Sequence, residues 1–255
     1  MVTSFRARRG HCLLALLLHV GASMAATDLL VVGTSFPQLF MAGANGRIEG
    51  MAIELLEQLA ASQQLHLRYE LLPWARAQLM VERGEADVLV GPYRTPEREQ
   101  RFLFSQQAFY EDELIFYARR GRCGQWQGRL EELQPGSVAQ VQGWAYGEAF
   151  EQARARLKPT VVRDLDVGAK MLALGRIQLL ASNERNTRPV LQSLGLSTQL
   201  EPCAQPLGLL QGHFAFPRTA HGEALRQQFD AGLRRLGSGT LLRELAQRWQ
   251  VRIPD

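Results

Sequence analysis

Residues that mark several classes of protein are scarce in this chain of 255 residues. Only three cysteines occur, which excludes a small scaffold held together by many disulfides. The 46% of apolar and 21% of charged residues exclude a disordered, collagen-like or coiled-coil chain. Lysine accounts for two of the 29 basic residues, a bias of composition that indicates no function. The length allows one or two domains with a sizeable core.

Catalytic and metal-binding motifs are also missing from the sequence. The five histidines show no metal-ligand spacing, and there is neither a Gly-x-Ser-x-Gly motif nor a glycine-rich phosphate loop. We therefore expect no metal and no cofactor. Glu111, Asp112 and Glu113 are interpreted as a solvated turn rather than as an acid–base pair.

Residues 1–26 have the pattern of a secretory signal peptide. Three arginines precede an apolar run over residues 12–20, and small residues follow up to Ala26. The run is about half as long as the ~20 residues that a membrane-spanning helix needs. The alternative is a buried N-terminal helix. Since no other apolar stretch approaches membrane-spanning length, we expect a soluble mature protein in the periplasm.

Loss of the signal would change both the charge and the cysteine content. The formal charge of +4 includes the three signal arginines, so the mature chain has 26 basic and 25 acidic residues. A net charge near +1 gives no electrostatic footprint for nucleic acid. Cys12 would leave with the signal. Cys123 and Cys203 would remain in an oxidising compartment, where we expect a disulfide, the alternative being two buried thiols.

Two series of alternating strand and helix patterns follow the signal. The first has strand-like runs at 29–33, 65–71 and 87–91, with helical patterns at 51–62 and 74–83. The second has strand-like runs at 137–141, 160–163 and 177–181, with helical patterns at 145–157, 166–174 and about 187–194. Apolar runs at 113–117 and 207–216 lie between and after the two series, and helices at about 220–236 and 240–250 close the chain.

This order predicts an α/β fold with two lobes, each a mostly parallel sheet flanked by helices, joined by two crossing strands. The first lobe is expected to comprise residues 27–117 and 209–255, with the second inserted as residues 118–208. A ligand cleft is expected between the lobes, at the carboxyl ends of the strands.

The segment from Gly91 to Arg101 is the most distinctive local feature. Thr95 suits the N-cap of a short helix and Pro96 suits its first position. A helix start beside Arg98, at the edge of a sheet, is typical of an anion site, because guanidinium matches a carboxylate as a two-pronged donor. The alternative is a solvated helix start with Arg98 paired to Glu97 or Glu99.

Several motifs in order resemble family 3 of the bacterial extracellular solute-binding proteins. They are Gly46-x-x-x-Gly50, Gly84-Glu-Ala-Asp87, Thr95-x-x-Arg98, Phe104-Ser105, Gly175-Arg-Ile177 and Ser238-Gly239. The resemblance implies the type II periplasmic-binding-protein fold and a receptor of polar amino-acid uptake. Such a protein, expected to be a monomer, captures a small-molecule ligand by hinge closure and delivers it to an inner-membrane ABC permease.

The resemblance also implies roles for residues of the first lobe. Arg98 would grip the ligand carboxylate and Thr95 would support it. Trp74 would pack on the ligand, and Phe36 matches the family's first-lobe aromatic residue, the alternative being a loop residue packed on the core. Tyr93 of the same segment is also assigned to the ligand site.

The second lobe departs from the family pattern. The acid that commonly holds a ligand ammonium falls on Asn183, so a standard α-amino acid is an unexpected ligand. Trp144 and Tyr146 replace the usual small hydroxyl residues, which suggests stacking on a flat or apolar ligand, the alternative being packing on the lobe.

Two other functions remain open at this point. Periplasmic dehydratases that act on prephenate-like acids resemble this family, and their substrate is a carboxylate without an ammonium group. A ligand-presenting component of a membrane sensor is the other alternative to transport. No residue marks a general acid, so we expect a binding protein rather than an enzyme.

Overall fold

The computed structural model describes residues 28–237 and 240–254. The predicted signal peptide with Cys12, and the Ser238-Gly239 motif, lie outside the described residues. The strands are β1 (Asp28–Gly33), β2 (Met41–Ala42), β3 (Ile48–Glu49), β4 (His66–Leu71), β5 (Val88–Tyr93), β6 (Phe102–Phe104), β7 (Tyr110–Arg119), β8 (Val138–Val141), β9 (Thr160–Val162), β10 (Leu179–Asn183) and β11 (Leu200–Pro217). The helices are α1 (Met51–Gln63), α2 (Trp74–Glu82), α3 (Pro96–Glu99), α4 (Glu148–Leu157), α5 (Leu165–Ala173), α6 (Glu184–Ser193), α7 (Ala220–Gly237) and α8 (Leu241–Trp249).

One mixed sheet runs through both lobes in the order β4-β1-β5-β11-β7-β10-β8-β9, with β6 beside β11. In the first lobe β1 pairs in parallel with β4 and β5. In the second lobe β8 pairs in parallel with β9 and β10. The predicted α/β fold with two crossing strands is confirmed, since β7 and β11 pair antiparallel between the two parallel parts.

Each lobe has a hydrophobic core on both faces of its part of the sheet. In the first lobe α1, α7 and α8 cover one face and α2 covers the other. Residues of β7 alternate between the two second-lobe cores, with Leu114 and Phe116 on the α4 side and Ile115 and Tyr117 on the α5 side. This alternation is the two-residue period of a strand buried on both faces.

The second lobe contains the predicted disulfide, between Cys123 and Cys203. The bond connects a short 3₁₀ turn, Cys123–Gln125, to β11 across a sequence separation of 80 residues. It therefore fixes the start of the inserted segment against one of the two crossing strands.

The predicted lobe boundaries, between residues 117 and 118 and between 208 and 209, fall inside β7 and β11. The division at those residues remains a prediction. No helix within the described ranges combines the length and the apolar character needed to cross a bilayer.

The interpretation of Glu111, Asp112 and Glu113 as a solvated turn is wrong. All three belong to β7, and Glu111 and Asp112 are 8% and 6% exposed. Distant arginines make this burial possible, because Arg252 pairs with Glu111 and Arg185 pairs with Asp112.

Candidate functional site

Arg98 is positioned by the short helix α3 at the end of β5. The Thr95 side chain accepts a hydrogen bond from the Arg98 backbone N–H, and Pro96 occupies the first position, as predicted. The helix has only four residues, so it lacks the length for a strong dipole. Attraction of an anion here therefore depends on the guanidinium group of Arg98.

The guanidinium of Arg98 is buried, with 6% of the residue exposed. Its Nη1 donates to the Tyr93 carbonyl oxygen at 3.0 Å, and its Nη2 donates to the Gly143 carbonyl oxygen at 3.0 Å. Glu99 pairs with Arg94 instead. Among the described residues, no carboxylate lies within ion-pairing distance of Arg98. Burial lowers its pKa, yet an arginine still keeps its charge.

Gly143 brings the second lobe into contact with the first. It follows β8 with a φ of 74°, a left-handed conformation that favours glycine. Its carbonyl oxygen accepts from Trp74 Nε1 at 3.2 Å as well as from Arg98. The Arg98 guanidinium also lies 5.7 Å from the Trp74 ring centroid. The Gly143 carbonyl oxygen of the second lobe thus accepts hydrogen bonds from two first-lobe side chains.

A small cavity of about 20 Å³ lies between the lobes at this point. This is room for about one water molecule, so a ligand can enter only if the surrounding residues move apart. The lining residues are Phe36, Trp74, Gly91, Tyr93, Arg98, Tyr110, Trp144, Ala145 and Asn186. Five of the nine are aromatic and only Arg98 is charged, so the cavity combines an apolar surface with one cation.

Two glycines position the Tyr110 side chain in the cavity wall. Its hydroxyl donates to the Gly91 carbonyl oxygen at 2.6 Å. Its ring lies over Gly212 of β11, where an added Cβ would come within 1.7 Å of the ring. A larger residue at Gly212 would therefore displace Tyr110 from the cavity wall.

A second guanidinium, that of Arg185, is buried behind the aromatic wall. Its Nε donates to Asp112 Oδ1 at 3.0 Å and its Nη2 donates to Oδ2 at 2.5 Å. The Tyr93 hydroxyl donates to the same carboxylate at 2.6 Å, and Arg185 Nη1 donates to the Pro37 carbonyl oxygen at 3.0 Å. Arg185 therefore connects the start of α6 to the first lobe and to the crossing strand β7.

The electrostatic surroundings of these groups favour different protonation states. Burial acts to lower the pKa of Arg185, but the charge and hydrogen bonds of Asp112 outweigh it and raise that pKa. Burial, with the nearby negative charge of Asp112, raises the pKa of Tyr93 well above its usual value. At neutral pH Arg185 is therefore a cation and Tyr93 a neutral phenol.

A sequence model of the bacterial extracellular solute-binding proteins, family 3, matches residues 29–252. The chain belongs to this family. The match includes both sides of the cleft of this solute-binding protein. No curated protein sequence matches the chain at a significant level.

Solved structures share the fold of this solute-binding protein. A histidine kinase sensor domain with similarity to periplasmic binding proteins is 19% identical, with a TM-score of 0.77 over 90% of this chain and 99% of its own. A mutant of ArgBP from T. maritima is 19% identical, with a TM-score of 0.72 over 88% and 95%. An ABC uptake transporter substrate-binding protein from Streptococcus pneumoniae, solved with histidine, is 15% identical, with a TM-score of 0.71 over 87% and 92%. At these identities the likeness shows the fold alone.

Five of the eight predicted ligand residues line one cavity. These are Phe36, Trp74, Tyr93, Arg98 and Trp144. Phe36 also packs edge-to-face on Trp74, with ring centroids 5.5 Å apart, so it serves both the cavity wall and the loop. Thr95 lies in an adjoining larger groove, called the outer groove below, which Arg98, Gly143 and Trp144 also line.

The structure does not bring Tyr146 and Asn183 to this cavity. Tyr146 is 2% exposed, because its ring packs on Phe150 and its hydroxyl accepts from the Val141 N–H at 2.7 Å. Asn183 is the N-cap of α6, and its Oδ1 accepts from the Asn186 N–H at 2.9 Å. Helix α6 begins at Glu184 rather than near Thr187, because this cap starts it three residues early.

Sequence reasoning missed several residues of the site, among them Tyr110, Asp112, Arg185 and Asn186. Asp112 stands between Glu111 and Glu113, and such a run of three acids is typical of a solvated turn, so it offered no signal for a buried carboxylate. The late start predicted for α6 concealed Arg185 and Asn186, which its first turn directs towards the first lobe. Within the described residues, no group of three potential metal ligands occurs.

Proposed function

We propose that this is a periplasmic solute-binding protein that captures a small carboxylate-bearing solute between its lobes for an inner-membrane ABC permease. The observation that carries the proposal is the buried guanidinium of Arg98, which has two carbonyl partners and, among the residues that the structure describes, no carboxylate partner. A buried cation in a cavity is a strong binding group for an anion from outside. Membership of the family supports the binding role.

The ligand carboxylate takes the place of the Gly143 carbonyl oxygen. The Arg98 guanidinium has five N–H groups, and one of those on Nη2 donates to that oxygen. Binding therefore requires Gly143 to move away from Arg98 and Trp74. Trp74, Trp144 and Phe36 then pack on the ligand body, since all three line the cavity.

The lobes move as two bodies about the crossing strands β7 and β11 in this proposal. The first comprises residues 27–117 and 209–255, and the second comprises residues 118–208. Hinge closure around a ligand is a common transition of two-lobed binding proteins. The signal peptide over residues 1–26 directs a monomeric mature protein to the periplasm.

Binding without turnover fits the residues around the cavity. None of the nine lining residues carries a carboxyl or imidazole group, the usual general acids. The Tyr93 hydroxyl already donates to Asp112.

The test is a thermal-shift screen of the protein purified from the periplasm over amino acids, organic acids and aromatic acids. Isothermal calorimetry then compares the wild type with Arg98→Ala, for which we expect affinity to fall by roughly 100-fold or more. Arg94→Ala is the matched control, because Arg94 is exposed, lies in the outer groove and pairs with Glu99. Equal affinity of Arg98→Ala and the wild type would refute the site.

A role in sensing is the second candidate. The likeness to a histidine kinase sensor domain, with a TM-score of 0.77, favours it. Deletion of the gene in the host bacterium separates the two roles. A transport receptor is needed for uptake of the radiolabelled ligand, whereas a sensor component is needed for the transcriptional response and not for uptake.

A further inference from the structure

The nine residues that line the cavity include one positive charge and no negative charge. Arg98 is the only charged residue among the nine that line it, and Asn186 is the only side-chain amide. The remaining lining side chains are aromatic or small. A ligand carboxylate would meet a cation here, but a ligand ammonium would meet no anion.

Three carboxylates are buried among the described residues, and each has a basic partner. Glu111 pairs with Arg252, and Asp230 pairs with Arg226. Asp112 is the one that bonds to a cavity-lining residue, through the Tyr93 hydroxyl at 2.6 Å. It is therefore the carboxylate best placed to serve a ligand ammonium.

Arg185 lies on the other side of Asp112 and forms an ion pair with it. It donates to both carboxylate oxygens, and its side chain is 7% exposed. Its guanidinium lies 5.2 Å from the Tyr110 ring centroid and 5.9 Å from that of Phe36. Both rings line the cavity, so a second cation lies directly behind its wall.

Acids on the outer groove do not change this balance. Glu97, Glu148 and Glu151 line that groove, but all three are exposed. Glu151 is also paired with Arg154. Exposed carboxylates attract an ammonium group weakly, because water screens them.

We infer that Arg185 is a specificity-determining residue that neutralises Asp112 and thereby restricts the cleft to carboxylates without an α-ammonium group. The inference rests on the proposed function and names its ligand class, which is 2-oxo, 2-hydroxy or unsubstituted acids with an apolar or aromatic body. An α-amino acid with the same body is rejected, because its ammonium loses water next to two guanidinium groups and gains no anionic partner.

Matched probes test this directly on the protein purified from the periplasm. Calorimetry compares 3-phenylpropionate, phenylpyruvate and 3-phenyllactate with L-phenylalanine, and propionate, pyruvate and lactate with L-alanine. Within each set the body is the same and only the α substituent differs. We expect the amino acid to bind roughly tenfold or more weakly than the tightest acid of its set.

Arg185→Met tests the residue itself. It frees Asp112, so the preference for the acid over the amino acid should fall by roughly tenfold or more. The double variant Asp112→Asn with Arg185→Met removes both charges and should keep the wild-type preference. Arg188→Met is the control, because Arg188 lies on the same helix, is exposed and pairs with Glu184; it should leave the preference unchanged.

The outcomes separate the inference from the proposed function. Failure of every carboxylate to bind the wild type would overturn the proposed function itself. Amino acids that bind as tightly as their deaminated partners would overturn the ligand class and leave the function standing. An unchanged preference in Arg185→Met, or its loss in the double variant, would overturn the role of Arg185.

Discussion

Two guanidinium groups are buried near the cleft, that of Arg98 from the first lobe and that of Arg185 from the second. Arg185 has a carboxylate on one side and a carbonyl on the other, whereas within residues 28–237 and 240–254 Arg98 has only carbonyl partners. Burial lowers the pKa of Arg98, while Asp112 outweighs burial and raises the pKa of Arg185. A buried cation that has its own carboxylate partner therefore stabilises the fold, whereas one without such a partner is available to bind an anion from outside.

The largest effect on stability is expected from removing the carboxylate of Asp112, which pairs with Arg185. Asp112→Asn leaves Arg185 buried and uncompensated, so the free energy of unfolding should fall by about 3–5 kcal/mol. Urea denaturation measures it. The double variant Asp112→Asn with Arg185→Met should recover most of the loss, because neither position then carries a charge. A loss below about 1 kcal/mol in the single variant would remove the contrast with Arg98.

A smaller effect, of the opposite sign, is expected at the unpaired cation. Arg98→Met removes a buried charge that no carboxylate of the described part of the chain compensates, at the cost of its bonds to two carbonyl oxygens. The free energy of unfolding should stay the same or rise by up to about 1 kcal/mol. The same denaturation assay measures it. A loss as large as that of Asp112→Asn would mean that Arg98 is also a structural residue.

The smallest effect is expected at a third buried basic group, His213 in β11. It is 5% exposed, and its Nδ1–H donates to the Ser105 carbonyl oxygen at 2.9 Å. Burial lowers its pKa, so this side chain, unlike an arginine, can give up its proton in the fold. His213 therefore differs from Arg98 and Arg185, because a buried imidazole avoids an uncompensated charge by losing its proton.

The pH dependence of stability tests His213. Well above the unfolded pKa of about 6.5 the imidazole is neutral in both states, and its contribution to stability is fully present. Between that value and the lowered folded pKa the unfolded state binds more protons, so the contribution falls as the pH drops and is lost below the folded pKa. His213→Gln should therefore reduce the fall in unfolding free energy between about pH 7 and 5. His66→Gln, at an exposed position, is the control; equal pH profiles for the wild type and His213→Gln would contradict the expectation.

Local patterns predicted much of the fold and one side of the site. The cap at Thr95, the proline at the first position of α3 and the alternating strand and helix patterns depend on neighbouring residues. The structure reproduces each of them. Arg98 could be recognised for the same reason, since its place follows from a short segment at the end of a strand.

The other side of the site depends on residues far apart in the chain. Arg185 and Asp112 are 73 residues apart, and no local motif beside either residue predicts that they pair. The orientation of Tyr146 likewise depended on how its hydroxyl meets the β8 backbone. Such contacts depend on how the strands and helices of the second lobe pack against β7 and β11.

The order of α and β elements, the candidate cysteine pair and the short helix that presents Arg98 follow from local sequence, because propensity, capping and periodicity act over a few residues. Which buried charges have a partner of opposite sign follows from the packing of distant segments. This packing brings Asp112 to Arg185, gives Arg98 two carbonyl partners and places aromatic rings around it. Charge compensation in a buried site depends on distances of a few ångströms between distant segments, and only the packing of the two lobes sets those distances.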